Sequence, residues 1–310
     1  MEIDTIYNMD CLEGMNMIPD GSVDCIICDL PYGIMKGIDD KHDWDVILPT
    51  DILFDEYDRV LRRGGVAILF SQEPYTSHLR TFRSRNMWFL YPMIWKKDSA
   101  GNSLMAKNAP VSYFEDINVF VKGESAKELN PISEHIEKIE RYLEGLLGSS
   151  YKKKIENDIG GRARHLFVGL GIRLCTEETY NELIERYGID KAEGFVDFSV
   201  LKGIDVKFKE TIKRVFNLPE GAKSLSNVLE FSKDTDGFHP TQKPVALIRR
   251  LIQTYSNEGD TILDNCMGSG TTAIAAIREK RHFIGFELNA EYYEKAMKRI
   301  KLERQQLTLF

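Results

Sequence analysis

The chain begins with short apolar runs that alternate with stretches of helical spacing. Val23–Cys28 and Val66–Phe70 are continuous apolar runs, which are typical of buried strands. Between them, Thr50 precedes apolar residues at helical spacing, and Gly64-Gly65 is predicted to end that helix. Strands that alternate with helices along a chain predict a mostly parallel sheet with helices on both faces.

The same alternation returns near the end of the chain. Pro244 is predicted to open a helix, and Thr261–Asp264 and His282–Phe286 read as strands separated by a helix over Thr271–Lys280. Asn289 is predicted to cap the last helix. The pattern therefore predicts an α/β core built from two separate parts of the chain.

The middle of the chain lacks this alternation. Helical spacing is clear at 134–147 and at 177–187, where Gly188 follows the last apolar position, and Lys, Arg and Gly dominate the residues between. We interpret this part as a smaller inserted domain. The predicted divisions are 1–122, 123–235, 236–304 and a short tail at 305–310.

Composition narrows the class of protein. The chain has 310 residues, a net charge of −7, 43% hydrophobic and 29% charged residues, which is ordinary for a globular protein. No apolar run reaches the roughly 18 residues that span a bilayer, and the acidic N-terminus does not resemble a signal peptide. We therefore expect a cytoplasmic protein.

The five cysteines are too few and odd in number for a disulfide framework. Cys25 and Cys28 lie in one predicted strand, where three-residue spacing places them on opposite faces. Because no second cysteine pair completes a zinc site, both are predicted to be core residues, and no metal is expected.

Charge is distributed unevenly. Residues 38–58 carry eight acids and one Lys, net −7, whereas residues 59–97 carry eight Lys and Arg and one Glu, net +7. Residues 152–173 add six basic and two acidic side chains, net +4. Each run is either a solvated face or a surface that contacts nucleic acid phosphates.

A glycine-rich turn follows the predicted strand Thr261–Asp264. Gly268 and Gly270 let the backbone approach a ligand closely, but Gly-Lys-Ser/Thr is absent, so this is no phosphate-binding P-loop. Glu287 ends the next predicted strand, where an acid can accept hydrogen bonds from ribose hydroxyls. A plain turn and a surface acid are the alternative, and the two features together favour a nucleoside site.

Four short motifs occur in a characteristic order. Asp29-Leu30-Pro31-Tyr32 ends a predicted strand, and it is followed by His239-Pro-Thr-Gln-Lys-Pro244, the turn Asp264–Thr272 and Gly285-Phe-Glu287-Leu-Asn289. In this order the chain resembles the β-class of N6-adenine and N4-cytosine DNA methyltransferases, over about 1–122 and 237–304. The family motif is Asp-Pro-Pro-Tyr, so Leu30 replaces its first proline.

This resemblance implies a Rossmann-like, S-adenosylmethionine-dependent methyltransferase core, with the insert as target recognition domain. The amine lone pair is conjugated into the base, so two acceptors on the amine hydrogens are needed to free it. The family uses the carboxylate at Asp29 and the backbone carbonyl at Leu30. Pro31 fixes the bend, and Tyr32 stacks on the base flipped out of the duplex.

The first position of the motif bears on the target base. Asp29 resembles the adenine-directed forms, so methylation of adenine N6 in DNA is predicted. Two alternatives remain: N4-cytosine methylation, and a non-catalytic DNA-binding protein on the same fold. The intact Asp29, Pro31, Tyr32 and Glu287 argue against the second.

The resemblance also implies residues for the cofactor, S-adenosylmethionine. Asp10 is alternatively a helix N-cap, Thr241 is alternatively a cap of the following helix, and Cys266 stands where the family usually has Phe. The predicted cofactor residues are Asp10, Thr241, Lys243, Asp264, Cys266, Gly268, Ser269, Gly270, Thr271 and Glu287.

Double-stranded DNA is the predicted partner. The cations of the two basic runs are candidates for phosphate contacts, with a solvated surface as the alternative. The candidates are Arg80, Arg83, Arg85, Lys96, Lys97, Lys152, Lys153, Arg162 and Arg164.

The C-terminal tail resembles the short peptide with which bacterial replication proteins dock on the sliding clamp. An extended tail places its apolar side chains in an apolar groove, whereas packing onto its own domain is the alternative. The residues concerned are Gln306, Leu307, Thr308, Leu309 and Phe310.

Overall fold

The computed structural model describes residues 1–33, 45–101, 106–108, 110–123, 131–162, 174–211, 214–234 and 242–307. The chain divides into two compact units. The first is Met1–Lys122 with Arg214–Phe310, and the second is Gly123–Lys213.

The described residues form eight strands in one sheet. The strands are β1 (Thr5–Tyr7), β2 (Val23–Asp29), β3 (Leu61–Ser71), β4 (Met87–Gly101), β5 (Ser112–Lys122), β6 (Val228–Glu230), β7 (Thr261–Asp264) and β8 (His282–Phe286).

The sheet order is β1-β8-β7-β2-β3-β5-β4-β6. Pairing is parallel from β1 to β3 across the sheet and again between β4 and β6, while β5 is antiparallel to both of its neighbours. Since β2 lies between β7 and β3, the two parts of the chain that were predicted to form one core are interleaved in a single sheet.

The helices of the first unit lie on both sides of this sheet, and those of the second unit pack among themselves. The described helices are α1 (Cys11–Met15), α2 (Thr50–Val60), α3 (Tyr75–Thr81), α4 (Ser133–Leu147), α5 (Tyr151–Ile159), α6 (Glu177–Tyr187), α7 (Phe198–Thr211), α8 (Val245–Tyr255), α9 (Thr271–Arg278) and α10 (Ala290–Leu307).

Alternation along β2 separates two hydrophobic cores. Cys25 and Ile27 pack with α8, α9 and α10, whereas Ile26 and Cys28 pack with α1, α2 and α3. Successive strand side chains point to opposite faces, so both faces of the sheet are covered. The predicted α/β class is confirmed, and Cys25 and Cys28 are core residues on opposite faces, as the spacing indicated.

The end of α2 differs from the prediction. The helix ends at Val60, and Gly64-Gly65 lies inside β3, whose first residue Leu61 pairs with Val23 of β2. A Cβ at Gly65 would lie 2.9 Å from two backbone oxygens, so a close approach of chains explains this glycine. Thr50 is the first residue of the helix and bonds His78 rather than capping the helix.

The second unit is helical among its described residues. Apolar faces of α4, α5, α6 and α7 form a core around Ile136, Ile155, Tyr180 and Leu201. Helix α6 spans the predicted 177–187 and ends at Gly188 in the left-handed conformation. The sequence pattern did not indicate α5 or α7.

The end of the insert also differs from the predicted boundary at 235. Residues from Arg214 belong to the first unit, because β6 pairs with β4 through Ile94 and Val228. Of the three β6 residues, only Leu229 is buried, so the strand leaves little trace in the hydrophobic pattern. Among the described residues, no helix is both long and apolar enough to cross a membrane.

Candidate active site

Three carboxylates lie at the carboxyl ends of adjacent parallel strands. Asp29 ends β2, Asp264 ends β7, and Glu287 directly follows β8. These strands are neighbours in the sheet, and ligands of open α/β sheets bind outside such strand ends.

Asp29 is the most engaged of the three. Its Oδ1 accepts a hydrogen bond from the Tyr32 hydroxyl, and its Oδ2 is paired with the Lys243 ammonium. Burial raises the pKa of Asp29, while Lys243 opposes the rise. Burial and the neighbouring Asp29 carboxylate also raise the pKa of Tyr32, so its hydroxyl stays protonated and donates.

The turn after Asp29 is held from both sides. Leu30 is buried in the core next to α2. Its apolar side chain therefore fits the position at which the family motif has proline. Gly33 N donates to Asp45 Oδ1 at 2.9 Å. Sequence reasoning missed Asp45, which lay in an acidic run that was interpreted only by its charge.

The ammonium of Lys243 lies in the Asp29 site and not at the cofactor turn. Its Nζ is 3.1 Å from Glu115 Oε2 as well as paired with Asp29. The structure places Lys243 beside Asp29, and its contact with the cofactor stays a prediction.

The glycine-rich turn is tied to Glu287. Gly268 N donates to Glu287 Oε2 at 2.8 Å, and Asn289 N donates to Oε1 at 2.8 Å. Burial raises the pKa of Glu287, although these two donors favour its ionised form. Gly268 and Gly270 have φ of 52° and 76°, a region that favours glycine.

Ser269 and Thr271 face the last helix. Their hydroxyls lie 3.0 Å apart, and Arg299 Nη1 donates to Ser269 O and to Thr271 Oγ1, each at 3.1 Å. Both residues are buried. These contacts attach the turn to α10, which is a structural role that the sequence did not indicate.

Asp264 is buried at the start of the turn. Burial raises its pKa to about 7, while Thr272 and the Cys266 backbone N–H, which donates to Oδ1 at 3.1 Å, favour the ionised form. A carboxylate that is costly to ionise by itself is a suitable partner for a positively charged ligand group.

Two more of the predicted cofactor residues, Asp10 and Cys266, lie before α1 and after Asp264. Asp10 Oδ1 caps α1 by accepting from Leu12 N at 2.8 Å, so the N-cap alternative is present in the structure. Cys266 Sγ lies 3.5 Å from Asn265 Nδ2, and Asn265 Oδ1 accepts from Tyr57 at 2.6 Å.

Two of the residues predicted to contact DNA form ion pairs with other side chains of the first unit. Lys97 is buried and ion-paired with Glu115, so it is not a surface cation. Arg80 donates to Asn118 Oδ1 and Asp116 Oδ1, both at 2.7 Å, and its side chain is partly exposed. Burial rules out the predicted phosphate contact for Lys97, and that of Arg80 stays a prediction.

The remaining described candidates are exposed. Lys96 pairs with Glu230 at 3.0 Å, and Arg162 with Glu182 at 2.8 Å. Arg83 donates to carbonyls at the end of α3. Exposed candidates also include Arg85, Lys152 and Lys153. Thr241, Arg164 and residues 308–310 lie outside the described residues.

Comparison with known proteins defines the family. A family model described as DNA methylase matches residues 23–298. The DNA adenine methyltransferase YhdJ of Escherichia coli is 30% identical over 310 aligned residues, covering 96% of this chain and 83% of that protein. The chain therefore belongs to the DNA methylase family of amino-group methyltransferases, which confirms the family that the motifs indicated.

Two further proteins extend the likeness. The type II methyltransferase M.HindIII of Haemophilus influenzae is 26% identical, with 97% of this chain and 96% of that protein covered. The crystal structure of the M1.HpyAVI complex with S-adenosylmethionine superposes with a TM-score of 0.54 at 20% identity, covering 95% of this chain and 98% of the other. This superposition supports the methyltransferase fold.

Proposed function

We propose that this protein transfers the methyl group of S-adenosylmethionine to N6 of adenine in DNA. The observation that carries the proposal is the position of Asp29 and Tyr32 beside the glycine-rich turn of β7, in a chain of the DNA methylase family. The name of the relative YhdJ favours adenine as the base. A DNA substrate also implies a cytoplasmic site of action.

The residues at the strand ends fit S-adenosylmethionine. The cofactor carries an ammonium, a sulfonium and two ribose hydroxyls, and Asp264 and Glu287 offer carboxylates at the ends of β7 and β8. Gly268 and Gly270 lie in the turn that follows β7, in a backbone conformation that favours glycine. When bound, the cofactor supplies an electrophilic methyl group.

Asp29 and Leu30 would prepare the amine. The carboxylate and the Leu30 carbonyl accept one amine hydrogen each, which draws the nitrogen towards tetrahedral geometry and frees its lone pair for attack. After transfer, the nitrogen must lose one proton, and Asp29 accepts it. Tyr32 also donates to Asp29, and a carboxylate oxygen can accept a second hydrogen bond from the amine.

The test is nucleoside mass spectrometry of unmethylated DNA after incubation with the protein and S-adenosylmethionine. N6-methyladenine is the expected product, and Asp29→Asn should abolish it while DNA binding persists. N4-methylcytosine would keep the mechanism and contradict the base assignment. Absence of any methylated base with the unaltered chain would overturn the proposal.

We further propose that Gly123–Lys213 is the target recognition unit. Its helical fold and the exposed Lys152 and Lys153 on α5 support a surface that meets DNA. Replacing this unit with that of a relative of different target sequence should move methylation to the relative's site, as read by sequencing. Retention of the original site by the hybrid would contradict this role.

The tail is proposed to dock on the sliding clamp, on the strength of its sequence alone. Helix α10 runs through Leu307, so its last turn must unwind for Gln306 and Leu307 to bind in an extended form. Retention of the full chain on immobilised clamp, lost on deletion of 306–310, is the expected result. Equal retention of both proteins would remove this partner.

A further inference from the structure

Four side chains of alternating charge extend from the partly exposed Asp29 into the core, and the other three are buried. Asp29 pairs with Lys243, Lys243 Nζ lies 3.1 Å from Glu115 Oε2, and Lys97 pairs with Glu115 Oε1. The side chains of Lys243, Glu115 and Lys97 are only 6%, 9% and 4% exposed.

The alternation of side chains along β4 and β5 explains why Lys97 and Glu115, the outer pair of this cluster, are buried. Trp95 of β4 pairs with Glu115 of β5, and Lys97 shares the face of Trp95 because strand side chains alternate. Lys97 lies 5.2 Å from the centre of the Trp95 ring, and Lys243 lies 5.2 Å from that of Phe70. Aromatic rings therefore border both cations.

Three buried charges beside a partly exposed fourth are a costly way to stabilise a fold. Desolvation takes several kcal/mol per ion, and apolar side chains of the same volume are often equally stable. The arrangement does, however, determine how strongly the Lys243 ammonium neutralises the Asp29 carboxylate. In a one-to-one pair the ammonium would largely neutralise Asp29 and weaken it as an acceptor for the substrate amine.

We propose that Glu115 and Lys97 are positioning residues that hold Lys243 between two carboxylates, so that its ammonium neutralises Asp29 only in part and Asp29 stays a strong acceptor for the substrate amine. Lys97 balances Glu115, so the cluster of two cations and two anions has no net charge. This inference rests on the proposed methyl transfer and specifies what surrounds its catalytic carboxylate.

The acid–base behaviour of the cluster agrees with this geometry. Burial opposes ionisation of Glu115, but Lys243 and Lys97 hold its pKa below the ordinary value, so it is a permanent anion. Burial raises the pKa of Asp29, Lys243 lowers it and Glu115 raises it again. Asp29 is thus the member that titrates, and the other groups facing it are Tyr32, Cys28 and Asp264.

The test is single-turnover DNA methylation by the full chain between about pH 5 and about pH 9. The double variant Lys97→Met with Glu115→Gln removes the outer pair without leaving one charge unpaired. Lys243 then pairs with Asp29 alone. We expect a maximal rate at least about tenfold lower, an acid limb shifted to lower pH, and unchanged affinities for cofactor and DNA.

Two further variants keep the result interpretable. Glu115→Asp retains the negative charge but moves it away from Lys243, because the side chain is one methylene shorter. It should shift the acid limb of the pH–rate profile in the same direction by a smaller amount. Arg278→Met with Glu303→Gln removes a more exposed ion pair, formed at 2.7 Å between α9 and α10, and should leave the acid limb unmoved.

The outcomes separate this proposal from the function it rests on. An unmoved acid limb in both Glu115 variants overturns the positioning role, even where the rate falls, because a merely structural role lowers the rate alone. If the unaltered chain methylates no DNA, the proposed function fails instead.

Discussion

At the scale of single residues, Tyr32 combines two functions that substitutions can separate. Its hydroxyl occupies Asp29 Oδ1 in the resting protein, and its ring is proposed to stack on the flipped base. Tyr32→Phe removes the hydroxyl and keeps the ring, so kcat should stay within about threefold and KM for DNA should not rise. Tyr32→Ala should lower kcat/KM about tenfold or more. Similar losses for both variants in steady-state methylation assays would contradict the stacking role.

Asp264 should make the stability of the protein depend on pH. Its pKa is raised to about 7 in the folded protein, above the value of 3.8 in the unfolded chain, because burial disfavours the charge. A carboxyl with a raised folded pKa stabilises the fold at low pH, and this contribution is lost as pH rises from about 4 to about 7.

Asp264→Asn therefore should gain stability relative to the unaltered chain as pH rises from about 5 to about 8, by at most about 3 kcal/mol. The measurement is the free energy of unfolding of both proteins without cofactor at several pH values. A difference between the two proteins that does not change with pH would show that Asp264 titrates normally.

Single residues also show how far the sequence can be read. Lys96 and Lys97 are adjacent and were both interpreted as surface cations, yet Lys96 is exposed and Lys97 is buried beside Glu115. Alternation with Trp95 in a strand was the available signal. Glu115 could not be predicted as the partner of Lys97, because the pairing of β4 with β5 depends on tertiary structure.

At the scale of elements, the glycine-rich turn depends on the conformation of Gly270. Its φ is +76°, and an added Cβ would lie 3.2 Å from Ala296 Cβ on α10. Gly270→Ala should lower stability by about 1–2 kcal/mol and weaken cofactor binding. Gly145→Ala, where a Cβ meets nothing within 4 Å, is the matched control and should not destabilise. Thermal unfolding and titration calorimetry measure both effects, and equal behaviour of the two variants would contradict the argument.

Elements with strong apolar patterns were predicted correctly, and those fixed by pairing were not. β7, β8 and α6 have the predicted bounds, because their buried residues follow strand or helix spacing without interruption. β3 begins five residues before the predicted Val66, since its start is set by pairing with β2. β6 contributes one buried residue and gave no signal.

At the scale of the whole molecule, the net charge of −7 requires that DNA binding come from local cationic surfaces. Burial removes Lys97 from the predicted set and Arg80 is paired with Asp116, which leaves three exposed candidates in each unit among the described residues. On α5, Lys152 and Lys153 are both exposed, and Lys152 pairs with Glu140 at 2.7 Å. A phosphate contact at these residues would contribute affinity without regard to sequence.

Lys152→Gln with Lys153→Gln should therefore weaken binding to all DNA sequences alike and reduce the slope of log Kd against log salt by about two. The rate at saturating DNA should not change, because neither residue touches the reacting base. Lys298→Gln with Lys301→Gln removes the same charge from exposed positions of α10 and is the control. Fluorescence anisotropy across a salt series measures the slopes. Equal slopes for the two double variants would mean that DNA lies elsewhere, and an altered sequence preference would mean that the α5 lysines read bases.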